Sequence, residues 1–175
     1  MNFFKSKPWM GLLFSLVLIF GLCVSSTAQE KIKISGKGTY AYTERPAITF
    51  DDVEGHMILL SKWEGMNWST GEQKFMDRAE VSFIVYADYI KGSGPFWGYI
   101  KMSQNGDVVY STFKGKAITT LSPKGKPIMT FEGEIEMVRG TGQYMGIQGG
   151  MKFKNQMISN TIMMGEWGGE YYIKK

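Results

Sequence analysis

The segment from Ile128 to Val138 alternates apolar with polar side chains at almost every step, and this period constrains the fold most. Successive side chains of a β-strand point to opposite faces, whereas a helix repeats about every 3.6 residues. The spacing therefore predicts a half-buried strand with one apolar and one acidic face. We interpret Glu132, Glu134 and Glu136 as a solvated outer row rather than as a metal or catalytic cluster.

Seven further segments show the same period less regularly, and no window downstream of residue 28 shows a sustained, capped helical stripe. Asn105-Gly106 lies between two of them and favours the positive φ angles of a type I′ hairpin turn, so we expect those two strands to pair antiparallel. The pattern predicts about eight strands in total. The segments are 31–40, 56–63, 79–90, 97–103, 108–117, 150–158 and 161–173.

An all-β chain of this length can form a sandwich or a closed barrel. Glycines interrupt the predicted strands and permit the bends and close approaches that a small barrel needs. We therefore predict an all-β fold, an eight-stranded antiparallel β-barrel. The interior of such a barrel is either packed with side chains or holds one small ligand. The interrupting glycines are Gly36, Gly98, Gly115, Gly133 and Gly165.

The N-terminal segment has the pattern of a secretory signal peptide. Lys5 and Lys7 precede an uncharged run from residue 10 to residue 24, and Ser26 and Ala28 suit a cleavage site before Gln29. The run is short for a membrane span, which needs about 20 apolar residues. We therefore expect a signal peptide over residues 1–28, a single barrel domain over residues 29–175, and a secreted protein, periplasmic or extracellular, without a membrane span.

Composition excludes several classes of protein. The chain has one cysteine, Cys23, inside the predicted signal peptide, and one histidine, so it is neither a zinc finger nor a disulfide scaffold. Without residues 1–28 the formal charge falls from +4 to +2, which gives no support to nucleic-acid binding. The chain contains no P-loop, GxGxxG or CxxC motif and no Ser-His-Asp order. We expect no cofactor and no metal site.

The aromatic content leaves two interpretations of the barrel interior. Tryptophan and tyrosine side chains can fill a tapering barrel and belt its rims, or they can line an apolar pocket with a few polar groups for a small hydrophobic or phenolic ligand. In the second case an arginine at the mouth could hold a carboxylate or phenolate. The candidate ligand-binding residues are Trp63, Tyr86, Trp97, Tyr99, Tyr110 and Arg139.

Two residues are weak candidates for acid–base chemistry. His56 follows Gly55 and lies close in sequence to Asp52 and Glu54, and a neighbouring carboxylate raises a histidine pKa. The alternative is a strand-end histidine that is bonded to the backbone or to solvent. Glu166 would be informative if it pointed inward, but the alternation places it opposite Met163 and Trp167, on the outer face.

Residues 139–149 read RGTGQYMGIQG and resemble the GGTGxFxxAxG signature of dirigent proteins and of the allene oxide cyclase barrel superfamily. Arg139 stands where that signature begins with glycine. Residues 51–59 read DDVEGHMIL and are similar to a D-x-x-G-H segment of bacterial proteins with such barrels. The matching residues of the first segment are Gly140, Thr141, Gly142, Tyr144, Gly146 and Gly149.

The resemblance implies a secreted, bacterial-type member with an allene oxide cyclase-like, calycin-type barrel whose cavity opens at one end, and often a trimer. Plant allene oxide cyclases steer cyclisation of a fatty-acid epoxide, and dirigent proteins steer coupling or cyclisation of phenolic species. Three functions stay open: binding of a small hydrophobic or aromatic ligand, a cofactor-free isomerase or cyclase, and an envelope or extracellular structural protein with a packed barrel. A fold by itself does not transfer an activity.

Overall fold

The computed structural model describes residues 29–174, so the predicted signal peptide lies outside the described residues. The described chain forms nine strands and one short 3₁₀ helix. In chain order the strands are β1 (Ile32–Glu44), β2 (Ala47–Phe50), β3 (His56–Ser69), β4 (Glu80–Ile90), β5 (Gly94–Gln104), β6 (Asp107–Leu121), β7 (Pro127–Gly140), β8 (Ile147–Met157) and β9 (Ile162–Ile173), with the 3₁₀ helix at Gly142–Tyr144. No described helix is long and apolar enough to cross a membrane.

Eight of the strands close into an antiparallel barrel, as the sequence predicted. The chain order of pairing runs from β3 through β9, and β1 pairs with both β9 and β3 to complete the circle. The short strand β2 was not predicted. It follows a break at Arg45 and Pro46 and pairs with the first residues of β3. All four residues of β2 are exposed. The strand β2 and the start of β3 therefore extend one wall beyond the end of β1.

The two glycine-containing turns singled out in the sequence have the expected backbone. Asn105 and Gly106 have φ angles of 51° and 87° and join β5 to β6, with Gln104 opposite Asp107. The φ angles of Gly142 and Gly146 are 54° and 78°, which favours glycine at both positions. These turns all lie at the same end of the barrel.

The loop of residues 70–79 fills that end, and we call it the plug. Phe75 is 1% exposed and Met76 is fully buried. The Phe75 ring contacts the rings of Tyr144 and Tyr171, at centroid distances of 5.5 Å and 5.2 Å. The opposite end, which we call the mouth, is where β1 ends and β7 begins.

One half of the outer surface of the barrel is charged. On β6 to β9 and β1, lysine and glutamate side chains alternate between neighbouring strands, which is a favourable cross-strand arrangement. One row runs through Lys116, Glu132, Lys154, Glu166 and Lys37, each paired with the next. The acidic face of β7 is therefore a solvated outer row, as expected, and lysines lie on both sides of Glu132 and Glu134.

Candidate ligand-binding cavity

A cavity of about 700 Å³ occupies the barrel interior. Its lining runs from Arg45 and Lys126 at the mouth to Asn67 and Trp167 above the plug. This volume falls within the range of about 300 to 1,000 Å³ that is usual for small-molecule sites. The barrel is therefore open inside rather than packed solid.

The cavity walls are mainly aromatic and methionine side chains. Trp63 stacks on Phe83 with a centroid distance of 5.8 Å and an interplanar angle of 3°, and Tyr42 meets Trp63 edge-on at 5.0 Å. Methionine side chains adapt to irregular apolar shapes, so this lining suits a hydrophobic or aromatic occupant. The lining methionines are Met102, Met129, Met151, Met157 and Met163.

Two polar side chains face the cavity from one wall at mid-height. Gly38 and Gly165 pair directly across β1 and β9. The Tyr40 hydroxyl lies 1.9 Å from where a Cβ on Gly38 would be, and the Asn155 Oδ1 lies 1.8 Å from where a Cβ on Gly165 would be. Only glycines at positions 38 and 165 leave room for these two polar groups. Tyr40 and Asn155 therefore form a small polar patch on an otherwise apolar wall.

Three polar side chains of the lining are free to bind an occupant, whereas the Tyr42 hydroxyl at the mouth already donates to the Asn160 carbonyl oxygen at 2.6 Å. Within the described residues, neither Tyr40 nor Asn155 makes a side-chain hydrogen bond, and neither does Tyr89 near the mouth. Burial raises the pKa of Tyr40 to about 12. Burial also raises the Tyr89 pKa, although the positive charge of Arg45 partly opposes that shift. Both phenols therefore stay protonated at neutral pH and can donate a hydrogen bond.

Two hydrogen-bonded pairs of lining residues are already committed to the fold. The indole Nε1 of Trp63 donates to the Ser61 Oγ at 2.9 Å. The indole Nε1 of Trp167 donates to the Asn67 Oδ1 at 2.7 Å, and the Asn67 Nδ2 donates to the Met76 carbonyl oxygen at 2.7 Å. The Asn67 bonds fasten the plug to the barrel wall, and both sets of bonds leave little capacity for a ligand.

Of the six predicted ligand-binding residues, only Trp63 lines the cavity. Tyr86, Trp97 and Tyr99 lie on the outer face of β4 and β5, because their inward neighbours are Val85, Phe96 and Gly98. Together with three aliphatic residues they form an exposed surface, which we call the outer apolar face. Its members are Ile58, Leu60, Ile84, Tyr86, Trp97 and Tyr99.

The remaining predicted residues also lie outside the cavity. Arg139 is exposed at the plug end, where its guanidinium lies 4.7 Å from the centroid of the Tyr110 ring. Arg139 and Tyr110 therefore form a cation–π contact on the surface, and Arg139 does not lie at the mouth of the cavity. Glu166 is exposed in the outer row of alternating charges. The sequence alternation had indicated the outward direction of Glu166.

His56 is held between two carboxylates on the outside of the wall that extends beyond the mouth. Its Nδ1 lies 2.6 Å from the Asp52 Oδ1 and its Nε2 lies 2.9 Å from the Asp88 Oδ1. The hydrogen bond with Asp52 is the largest cause of a raised His56 pKa, and Asp88 adds to it. Because both ring nitrogens are engaged and His56 is not part of the cavity lining, the arrangement is a clamp between the β2–β3 turn and β4.

The clamp predicts a specific dependence of stability on pH. The folded pKa of His56 lies above its ordinary value of 6.5, so its contribution is complete below 6.5 and is lost as pH rises through the folded pKa. The Asp52 pKa lies below 3.8, chiefly because of the hydrogen bond with His56, so that contribution is lost as pH falls through the lowered value.

We expect His56→Gln to flatten the alkaline limb of the unfolding temperature, measured from about pH 5 to about pH 9. Asp88→Asn should flatten it only in part, since Asp52 remains. An unchanged alkaline limb in His56→Gln would show that the clamp does not stabilise the fold.

Two solved structures to which this chain is similar are pterocarpan synthase dirigent proteins. For GePTS1 the TM-score is 0.48 and the identity 8%, over 99% of this chain and 99% of the other. For PsPTS1 the TM-score is 0.47 and the identity 10%, over 83% of this chain and 97% of the other. No protein-family model and no curated protein matches this chain. The cavity is therefore interpreted from its own residues.

Several cavity residues were not predicted from the sequence. Tyr40, Arg45, Lys126 and Asn155 lie on the lining, although none of them was a candidate. For Tyr40 the signal was available, because it shares the strand face of Ile34, which is buried. Arg45 directly follows β1 and Lys126 directly precedes β7. Outside a strand, alternation does not predict which way a side chain points.

Proposed function

We propose that this chain is a secreted protein that binds a small hydrophobic or aromatic molecule inside the barrel. The observation that carries the proposal is the cavity of about 700 Å³, closed by the plug and walled by aromatic and methionine side chains. Apolar pockets with a few convergent polar groups are the usual form of small-molecule sites. Tyr40 and Asn155 supply such groups at mid-height.

Two observations bear on the alternatives. The ionisable groups of the described lining are Tyr40, Tyr42, Tyr89, Arg45 and Lys126, which suit hydrogen bonding and charge pairing more than proton transfer near neutral pH. A cofactor-free isomerase or cyclase would therefore have to act mainly by holding its substrate in a reactive shape. The volume of the cavity favours a ligand-binding role over a structural protein with a packed barrel.

The test is titration of the purified protein, expressed from the full chain, with N-phenyl-1-naphthylamine, a neutral probe that fluoresces in apolar surroundings. We expect saturable binding of one probe per chain. Native mass spectrometry of the same sample shows whether a ligand co-purifies and whether the mass corresponds to a start at Gln29. Absence of saturable probe binding by a protein that carries no co-purified ligand would contradict the proposal.

The homo-oligomer implied by the resemblance is also a proposal, and the outer apolar face supports it. Tyr86 and Trp97 are neighbours on paired strands, with a centroid distance of 6.3 Å and an interplanar angle of 13°. Contiguous exposed apolar surfaces of this kind mark interaction sites. Lys101 and the surface ion pair of Lys62 with Glu64 border the face, so charges of both signs lie at its edge and a second copy can meet it with opposite charges. We propose a second copy of this chain as the occupant.

We expect Trp97→Glu to lower the mass in solution to that of a single chain, as measured by light scattering. The reason is that a charge would be buried without a partner at the centre of the contact. Gln156→Glu, on the charged half of the barrel, is the control and should leave the mass unchanged. A wild-type protein that is already monomeric would rule out this interface.

A further inference from the structure

The formal charges on the cavity wall all have the same sign. Among the described residues that line the cavity, Arg45 and Lys126 carry formal charges and both are cations. Arg45 directly follows β1 and Lys126 directly precedes β7, which places both at the mouth. The described cavity thus combines an apolar interior with a positively charged entrance.

Several acidic side chains near the mouth have other partners, and the exposed Glu44, which directly precedes Arg45, forms no salt bridge within the described chain. Asp52 and Asp88 hold His56, and the Glu54 Oε2 lies 2.8 Å from the Lys91 Nζ. Glu64 lies 2.8 Å from the Lys62 Nζ. Within the described chain, neither Arg45 nor Lys126 forms a salt bridge, so the two cations have no acidic partner.

Arg45 lies next to the aromatic side chains that line the cavity near the mouth. Its guanidinium lies 5.4 Å from the centroid of the Tyr42 ring, which is part of the cavity lining and meets Trp63 edge-on. The guanidinium is close enough to Tyr89 to influence its ionisation. The cation is itself exposed and therefore borders the aromatic wall at the edge of the solvent, where an anionic group of a bound ligand can reach it.

We propose, building on the proposed function, that the ligand is an amphiphilic organic anion. Its apolar body lies among Trp63, Phe83 and the methionines, and its anionic group pairs with Arg45 and Lys126 at the mouth. The planar guanidinium can bind a carboxylate or sulfonate through two hydrogen bonds, and the ammonium adds a point charge.

The experiment compares two probes with the same aromatic skeleton. 8-Anilinonaphthalene-1-sulfonate carries an anionic group, whereas N-phenyl-1-naphthylamine is neutral. Both are titrated by fluorescence into the wild type, Arg45→Gln, Lys126→Gln and the control Lys124→Gln. Lys124 is exposed in the same turn as Lys126 and is not part of the lining. Competition between the two probes shows that they share the cavity.

We expect the wild type to bind the sulfonate about tenfold more tightly than the neutral probe, because two cations face one anion. Arg45→Gln should lose about tenfold in affinity for the sulfonate and less than about twofold for the neutral probe. Lys126→Gln should show a smaller loss of the same kind, Arg45→Lys should restore most of the preference, and Lys124→Gln should match the wild type.

The outcomes separate this inference from the function on which it rests. If both probes bind the wild type equally, or if Arg45→Gln weakens both equally, the ligand class is wrong while the binding function stands. If the neutral probe fails to bind the ligand-free wild type, the proposed function itself is overturned. Sulfonate that is not displaced by the neutral probe would place the anion outside the cavity and would also overturn the inference.

Discussion

Val85→Trp is expected to reduce binding of the neutral probe N-phenyl-1-naphthylamine at least about tenfold, because the indole occupies part of the space that the probe needs. Val85 is buried on β4, points into the cavity and lies between Phe83 and Ala87 on the inward face. Filling the barrel at this height separates the mouth from the lower half of the cavity. The effect on affinity should therefore be larger than that of any single polar substitution.

The control is Ile118→Trp, which places the same side chain on the outer face of β6, where it is not a member of the outer apolar face. It should bind the probe as the wild type does. Overpacking at position 85 is expected to cost about 1 to 3 kcal/mol of stability, so unfolding in denaturant is measured alongside binding. Unchanged affinity in a folded Val85→Trp protein would mean that the probe binds outside the barrel interior.

Asn67→Leu is expected to lower the free energy of unfolding by about 3 kcal/mol, because it leaves several buried polar groups without partners. Asn67 is 1% exposed and connects β3, β9 and the plug. It accepts a hydrogen bond from the Trp167 Nε1 and donates to the Met76 carbonyl oxygen. Leucine has a similar volume, so the loss measures the hydrogen bonds rather than a cavity.

Ser61→Ala provides the graded comparison, since it leaves only the Trp63 Nε1 without a hydrogen-bond partner. It should lower the free energy of unfolding by about 1 kcal/mol. The Trp63–Ser61 bond is slightly longer than the two Asn67 bonds, at 2.9 Å. Hydrogen exchange should show faster exchange in residues 70–79 of Asn67→Leu than in Ser61→Ala. A loss below about 1 kcal/mol in Asn67→Leu would show that the plug is held mainly by the packing of Phe75.

The strand pattern predicted most of the architecture. Period-two alternation located β1 and β3 to β9, although β1, β3 and β6 continue four to six residues beyond the predicted ends, and Asn105-Gly106 identified the β5–β6 hairpin. This succeeds because alternation is a local property of a strand with one buried face. The strand β2 was missed because its four residues are all exposed and carry no such contrast.

Aromatic residues were the least predictable part of the site. In β5, Phe96 and Trp97 are adjacent and both are large and apolar, yet only Phe96 faces the interior. Size and hydropathy favour burial of either residue, so they do not decide the direction. The choice depends on Gly98, because the Phe113 ring occupies the space beside its backbone on the inner side. That contact joins two strands and is absent from any local pattern.

The sequence by itself determined the all-β class, the antiparallel pairing, the acidic outer row and the outward direction of Glu166, because each depends on the alternation of neighbouring side chains. Only the tertiary structure decided which faces close around a cavity and which become the outer apolar face. It also brought Arg45 and Lys126 to the same mouth and Tyr40 and Asn155 to the same wall. These placements follow from barrel closure, which joins residues that are distant in the chain and is set by the register of all eight strands together.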